Sequence, residues 1–185
     1  MEYCRRITKG DIARFDEIRH EYLFGDDGLI MAMYEKYPEV YGGYFIDDTM
    51  VGVCYGWPRS EQVDNDDSFT LDGIALIEPY NKCGRGSRLL KFFVDAANSI
   101  GYDCVSVGSA GGYVERYYLK NGFRPIEFKV MVEDGPTCVL PIGSMGEYDA
   151  LTERRRAEIT ESVGGNHSFV VFEKRRHDND RSVEP

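Results

Sequence analysis

The sequence predicts an α/β fold in which strands alternate with helices. Three observations predict it. Two β-prone runs, 41–46 and 50–57, are separated only by Asp47-Asp48-Thr49 and read as a hairpin. An apolar run at 69–77 passes through a polar, Gly-containing stretch directly into an amphipathic helix. A last apolar run, 168–174, closes the pattern. At about 150 residues per domain, the 185 residues suit one domain or one with an appendage.

Tyr3 to Ile7 forms the first short strand, and Thr8-Lys-Gly-Asp11 turns the chain into a helix over 12–24, whose apolar Ile12, Phe15, Ile18 and Tyr22 recur at helical spacing. Gly25-Asp26-Asp27-Gly28 breaks that helix, and a second, 29–36, stops before Pro38. After the hairpin comes an acidic loop, 58–68, and then the 69–77 strand, expected to be buried on both faces. The helix after the glycine loop carries Leu89, Leu90, Phe93, Val94 and Ala97 on one face and ends at Gly101. Residues 104–107 read as a strand, 108–112 as a loop, 113–120 as a brief helix closed by Asn121-Gly122, and 123–133 as a strand. Gly135-Pro136 and 141–146 read as connections, with Ser144-x-x-Glu147 as a capping box for one charged helix to about Val163. From Arg175 the chain is nearly all polar, a composition that buries too little surface to offset its ordering entropy, so 176–185 is expected to be a mobile tail.

Charge narrows the function classes. The chain has 22 Lys and Arg against 32 Asp and Glu, a formal net charge of −10. Nucleic acid and anionic membrane, which both need a cationic surface, are disfavoured as partners, and a cationic one is favoured. No signal-like h-region opens the chain and no apolar run nears the roughly 20 residues that span a bilayer, so the expected location is cytoplasmic. Five cysteines without a C-x-x-C spacing read as reduced thiols, and His20, His167 and His177 lack the spacing of a helical metal site, so no metal is expected.

The most informative segment is Asn81-Lys82-Cys83-Gly84-Arg85-Gly86-Ser87, between a strand and a helix N-terminus. Backbone N–H groups and the positive end of a helix dipole converge there, which suits a phosphate or pyrophosphate. A tight strand-to-helix turn is the bland alternative. There is no Gly-Lys-Ser/Thr ending and no third glycine, which excludes a Walker loop and a Rossmann fingerprint.

Asn81-Lys-Cys-Gly84-Arg-Gly86 is similar to the Gln/Arg-x-x-Gly-x-Gly/Ala loop of the GNAT superfamily of acyl-CoA N-acyltransferases. Tyr117-Tyr118-Leu-Lys-Asn-Gly122-Phe123 is similar to that superfamily's aromatic-Tyr-x-x-x-Gly-Phe helix end, and 169–174 resembles its last strand. Asn81 stands where Gln or Arg is usual, Gly111 where an Asn often touches the cofactor, and 134–165 looks inserted. The resemblance implies a single domain over 1–175 with a mostly antiparallel mixed sheet, the inserted segment serving as a cover over the site or as a homodimer contact.

It also implies acetyl-CoA as co-substrate, contacted by Ile74, Leu76, Asn81, Lys82, Cys83, Gly84, Arg85, Gly86, Ser87, Gly111 and Tyr118, and direct attack by a primary amine in a ternary complex. Tyr118 matches the family's acid, whose phenol assists the departing thiolate; a packed core tyrosine is the alternative. Asp72, beside Gly73 where a bulge would turn its carboxylate, is the candidate base, against a hydrogen-bonded or strand-start Asp, or a water chain. Lys82, Arg85 and Arg88 are phosphate neighbours or merely solvated cations. Cys83 and Cys104 raise a covalent acyl-enzyme, with no His nearby in sequence. The expected acceptor is a cationic small molecule or peptide, attracted by acidic loops such as Asp64-Asn65-Asp66-Asp67, which otherwise serve solubility. A non-catalytic acyl-CoA-binding module and a nucleotide-binding domain of another fold are the rival readings.

Overall fold

The computed structural model describes residues 1–61, 67–109, 111–133, 135 and 137–176. Eight strands lie in one sheet in the order β1-β2-β3-β4-β5-β8-β6-β7: β1 (Glu2–Arg6), β2 (Gly42–Ile46), β3 (Thr49–Pro58), β4 (Phe69–Leu76), β5 (Cys104–Ser109), β6 (Arg124–Val132), β7 (Cys138–Pro141) and β8 (Gly165–Arg175). Among the described residues six α-helices accompany them: α1 (Ile12–Tyr22), α2 (Asp27–Lys36), α3 (Arg85–Ser99), α4 (Tyr113–Lys120), α5 (Met145–Ala150) and α6 (Glu153–Ser162). The described residues divide into two compact units, one within 1–105 with 175–176 and the other within 106–174.

In the first unit β1, β2, β3 and β4 pair successively antiparallel. The β2–β3 hairpin turns on Asp47 and Asp48, both left-handed at φ 46° and 65°, the geometry that matches the twist of the flanking strands. α3 packs against all four strands, with Leu89, Leu90, Phe93, Val94 and Ala97 buried as their spacing predicts. α1 packs on β3 and β4 through Phe15 and Ile18. α2 starts at Asp27, earlier than its apolar pattern suggests, because the Asp26 side chain accepts from the Leu29 N–H and caps it. Arg176 continues past β8, its N–H donating to the Asp103 carbonyl at 2.9 Å.

In the second unit β6 pairs antiparallel with both β7 and β8. Between the two expected connections, 135–136 and 141–146, lies a strand the sequence reading did not assign, β7, and its last residue, Pro141, corrects the start of the second connection: Val130 to Glu127 pair with Cys138 to Pro141. The single helix expected to Val163 is two helices. Ser144 caps α5 by accepting from the Glu147 N–H, but Glu147 reaches back to the Gly143 N–H at 2.6 Å, and Thr152 starts α6 by accepting from the Arg155 N–H. Both helices are tied to α4. Glu115, only 5% exposed, accepts a two-pronged bond from Arg156 (2.6 and 2.9 Å) and a third from the Tyr148 hydroxyl (2.6 Å).

Candidate active site

The segment that opens α3 is a left-handed turn. Cys83 and Gly84 are both left-handed, at φ 61° and 73°. Gly84 occupies the cap position with no side-chain cap bond, and a side chain there would meet nothing within 4 Å. The first helical N–H to reach a helix-type acceptor is that of Arg88, which donates to the Gly84 carbonyl at 3.1 Å. Among the described residues the N–H groups of Gly86 and Ser87 meet no protein acceptor. Two such donors at the positive end of a 15-residue helix are the chemistry that could hold an anion such as a pyrophosphate. Asn81, Lys82, Cys83 and Gly84 are exposed, and Arg85, Gly86 and Ser87 half-buried.

Arg85 and Arg88 are not idle cations. Both bond Glu2 of β1 at 2.6 Å, and Glu2 also accepts from the Tyr44 hydroxyl at 2.9 Å. The Arg85 guanidinium, then those of Arg88 and the Tyr44 phenol, hold the Glu2 carboxyl down to about 2. Of the three cations in this segment Lys82 is exposed, while Arg85 and Arg88 are held by Glu2.

β4 precedes this segment. Ile74 and Leu76 are half-buried opposite Cys54 and Gly52 of β3. The expectation of burial on both faces fails at Asp72. Pairing runs Tyr55 with Gly73 and then Gly56 with Leu71, so the register skips Asp72, which forms the bulge. Much of the Asp72 surface is open to solvent, yet protein packs densely round its carboxyl, and that burial raises it to about 6. The carboxylate is therefore partly desolvated, with one side open to solvent. The Tyr41 and Tyr55 phenols, raised chiefly by burial, also feel the Asp72 charge.

In the second unit Tyr118 is 4% exposed, its ring packed against Tyr117, Phe123 and Phe172 with centroids 5.4 to 6.0 Å apart. Burial pushes its phenol to about 12, so it stays protonated and able to donate at neutral pH. Gly111 is half-buried, its N–H donating to Ser109 Oγ at 3.3 Å. Gly111 also lines a cavity of about 960 Å³ with Tyr113, Glu115, Arg116, Tyr148 and Arg156.

Three groups escaped sequence reading: Tyr55, Glu2 and the Glu115–Tyr148–Arg156 network. The last two join residues far apart in sequence, and no local pattern marks them. Asp64, Asn65 and Asp66 of the acidic loop, and the tail from His177, lie outside the described residues. No disulfide joins the five cysteines; Cys83 is exposed and Cys104 buried. Among the described residues no three His, Cys, Asp or Glu side chains gather to hold a metal, and no helix is long and apolar enough to cross a membrane.

The fold is that of the GNAT N-acetyltransferases, a mixed, mostly antiparallel sheet flanked by helices. The chain is similar to a putative acetyltransferase, YncA, from Salmonella typhimurium, solved with acetyl-CoA (TM-score 0.62, 13% identity, covering 100% of this chain and 97% of that one). It is similar also to the ribosomal-protein-S18-alanine N-acetyltransferase of Escherichia coli (TM-score 0.59, 16% identity, 95% and 94% covered). A third likeness is to N-acetylglutamate synthase from Neisseria gonorrhoeae, solved with coenzyme A and N-acetyl-glutamate (TM-score 0.57, 18% identity). Of that enzyme the chain spans only about a third, 35%, while 96% of this chain is covered. No protein-family model and no curated protein matches the sequence.

Proposed function

We propose that this protein is an acyl-CoA-dependent N-acetyltransferase that moves an acetyl group from acetyl-CoA to a primary amine by direct attack in a ternary complex. The observation that carries the reading is the cradle: free Gly86 and Ser87 amides behind a left-handed Cys83-Gly84 turn, after the bulged β4 of a GNAT fold. Ile74, Leu76, Asn81, Lys82 and Arg85 flank the bound cofactor in this reading, with Gly111 on the turn before α4. The domain extends over 1–175, with 134–165 as an addition fastened to α4 through Glu115.

The acceptor arrives as an ammonium and must lose a proton before it attacks. Asp72, ionised above about pH 6 and paired with no cation among the described residues, attracts the ammonium and takes that proton. The amine nitrogen then bonds to the thioester carbonyl carbon, the carbon–sulfur bond breaks with its electron pair left on sulfur, and the second proton leaves the nitrogen for the thiolate, giving the amide and the free thiol. Tyr118 donates its phenolic hydrogen bond to the sulfur as that charge develops. A net charge of −10 and the uncompensated Asp72 favour a cationic acceptor, either a small molecule or a peptide N-terminus.

The test is thiol release from acetyl-CoA against a panel of polyamines, aminoglycosides, amino acids and peptides. Amine-dependent release, with the acetylated amine recovered by mass spectrometry, supports transfer. Tight acetyl-CoA binding with no amine-dependent release would leave a binding module instead.

A further inference from the structure

Tyr55 is fully buried on β3, and its hydroxyl has no hydrogen-bond partner among the described residues. The contrast with Tyr41 is informative. That neighbouring ring stacks on Tyr55 at 5.8 Å, yet its hydroxyl donates to the Ile30 carbonyl at 2.8 Å, as a buried phenol ordinarily must. An unpaired buried hydroxyl costs stability, and such a cost persists where the group has a use.

The geometry around Tyr55 points to that use. Its ring lies across Gly73, where a Cβ would come within 2.4 to 2.8 Å of the ring and the hydroxyl oxygen. Only glycine allows that approach, and it brings the hydroxyl beside the bulge at which the register skips Asp72. A bulge aims a side chain away from the regular alternation, and the Asp72 charge is felt at both the Tyr41 and Tyr55 phenols. Of the two, only Tyr55 has a free proton to offer. The other nearby charge, Arg19 on α1, is already engaged by Asp27 at 2.6 Å and Asp16 at 3.4 Å.

We propose that the Tyr55 hydroxyl is the donor kept for the ionised Asp72 carboxylate, making Tyr55 a positioning residue that fixes the base toward the acceptor amine. When Asp72 is protonated the hydroxyl has no charged acceptor. When it is ionised one carboxylate oxygen accepts from Tyr55 and the other is left for the incoming ammonium. Tyr55 keeps its own proton throughout. The proposal rests on the reading of Asp72 as the base, but its test does not need an acceptor.

The experiment is a titration of the Asp72 carboxyl by carbon NMR in protein labelled at aspartate Cγ, assigned with Asp72→Asn. It compares wild type, Tyr55→Phe and Tyr41→Phe. Removing a donor from a carboxylate raises its midpoint, here by about one pH unit in Tyr55→Phe, a roughly tenfold change in proton affinity. At a pH below the Asp72 midpoint, where the carboxyl is protonated, that variant should melt no lower than wild type, since the hydroxyl then has no charged partner. Tyr41→Phe should melt lower, losing its bond to Ile30, and leave the Asp72 midpoint in place. With a turned-over amine, the acidic limb of kcat/KM should move with the midpoint. An unmoved midpoint in Tyr55→Phe overturns the proposal, as does an equal shift in Tyr41→Phe or an unfolded Tyr55→Phe. A raised acceptor KM with an unmoved midpoint also overturns it, placing Tyr55 on the acceptor itself. Full activity of Asp72→Asn at low pH would instead remove the base role while leaving the midpoint shift standing.

Discussion

Arg156→Met tests whether the 134–165 segment is fastened to α4 as a working part of the second unit. The arginine side chain is 14% exposed and that of Glu115 6%, so the two charges meet largely out of water. Removing one partner of a buried ion pair costs about 3–5 kcal/mol, because the other is left uncompensated. Here the Tyr148 hydroxyl still donates to Glu115, which argues for the lower half of that range. Against this, the substitution also removes the Arg156 Nε bond to the Leu151 carbonyl at 2.7 Å, which joins α5 to α6. We therefore expect a loss of about 3 kcal/mol, which for a chain of this size lowers Tm by about 6–12 °C. Urea titration and thermal melting followed by circular dichroism measure both quantities. Glu115→Met combined with Arg156→Met should recover much of the loss, since replacing a buried pair by apolar side chains is often neutral. A single variant that melts within about 1 °C of wild type would refute the reasoning, because an interaction worth less than about 0.5 kcal/mol is no anchor.

The remaining predictions concern the site. Gly86→Glu should fold, since a carboxylate suits the first turn of a helix, yet should abolish measurable acetyl-CoA binding by calorimetry; unchanged affinity would remove the loop from the site. Tyr118→Phe should lower kcat about tenfold or more while changing KM little, because the hydroxyl acts on charge that exists only in the transition state; full activity would place the acid elsewhere. Asp72, raised by burial to about 6, favours the folded state fully only when protonated, below the ordinary aspartate range. Its stabilising contribution is lost as pH rises from about 4 through about 6. Asp72→Asn should therefore gain stability relative to wild type across that window in urea titrations at successive pH values, and a constant difference would contradict the placement.

Local patterns carried the elements that packing merely confirms. The α3 stripe and the 113–120 helix are written in periodicity, and the hairpin in its two turn residues. β7 escaped because Cys138–Pro141 is short, largely exposed and defined by its pairing with β6. The break between α5 and α6 hangs on Thr152, whose capping role competes with a helical pattern running through it. Within the candidate site, Gly73 advertised the bulge at Asp72, and the glycines advertised the turn into α3. Tyr55 was invisible, being one aromatic in an apolar strand until the register set it over Gly73. Arg85 and Arg88 likewise looked available until β1 brought Glu2 to them.

Direct transfer is the central claim, and initial-rate kinetics with acetyl-CoA and the best amine both varied test it most directly. The account predicts double-reciprocal lines that intersect, acetylated amine as product, and no acetyl group left on the protein after incubation with acetyl-CoA alone. Parallel lines, with an acetyl group found by mass spectrometry on Cys83 or Cys104, would contradict it.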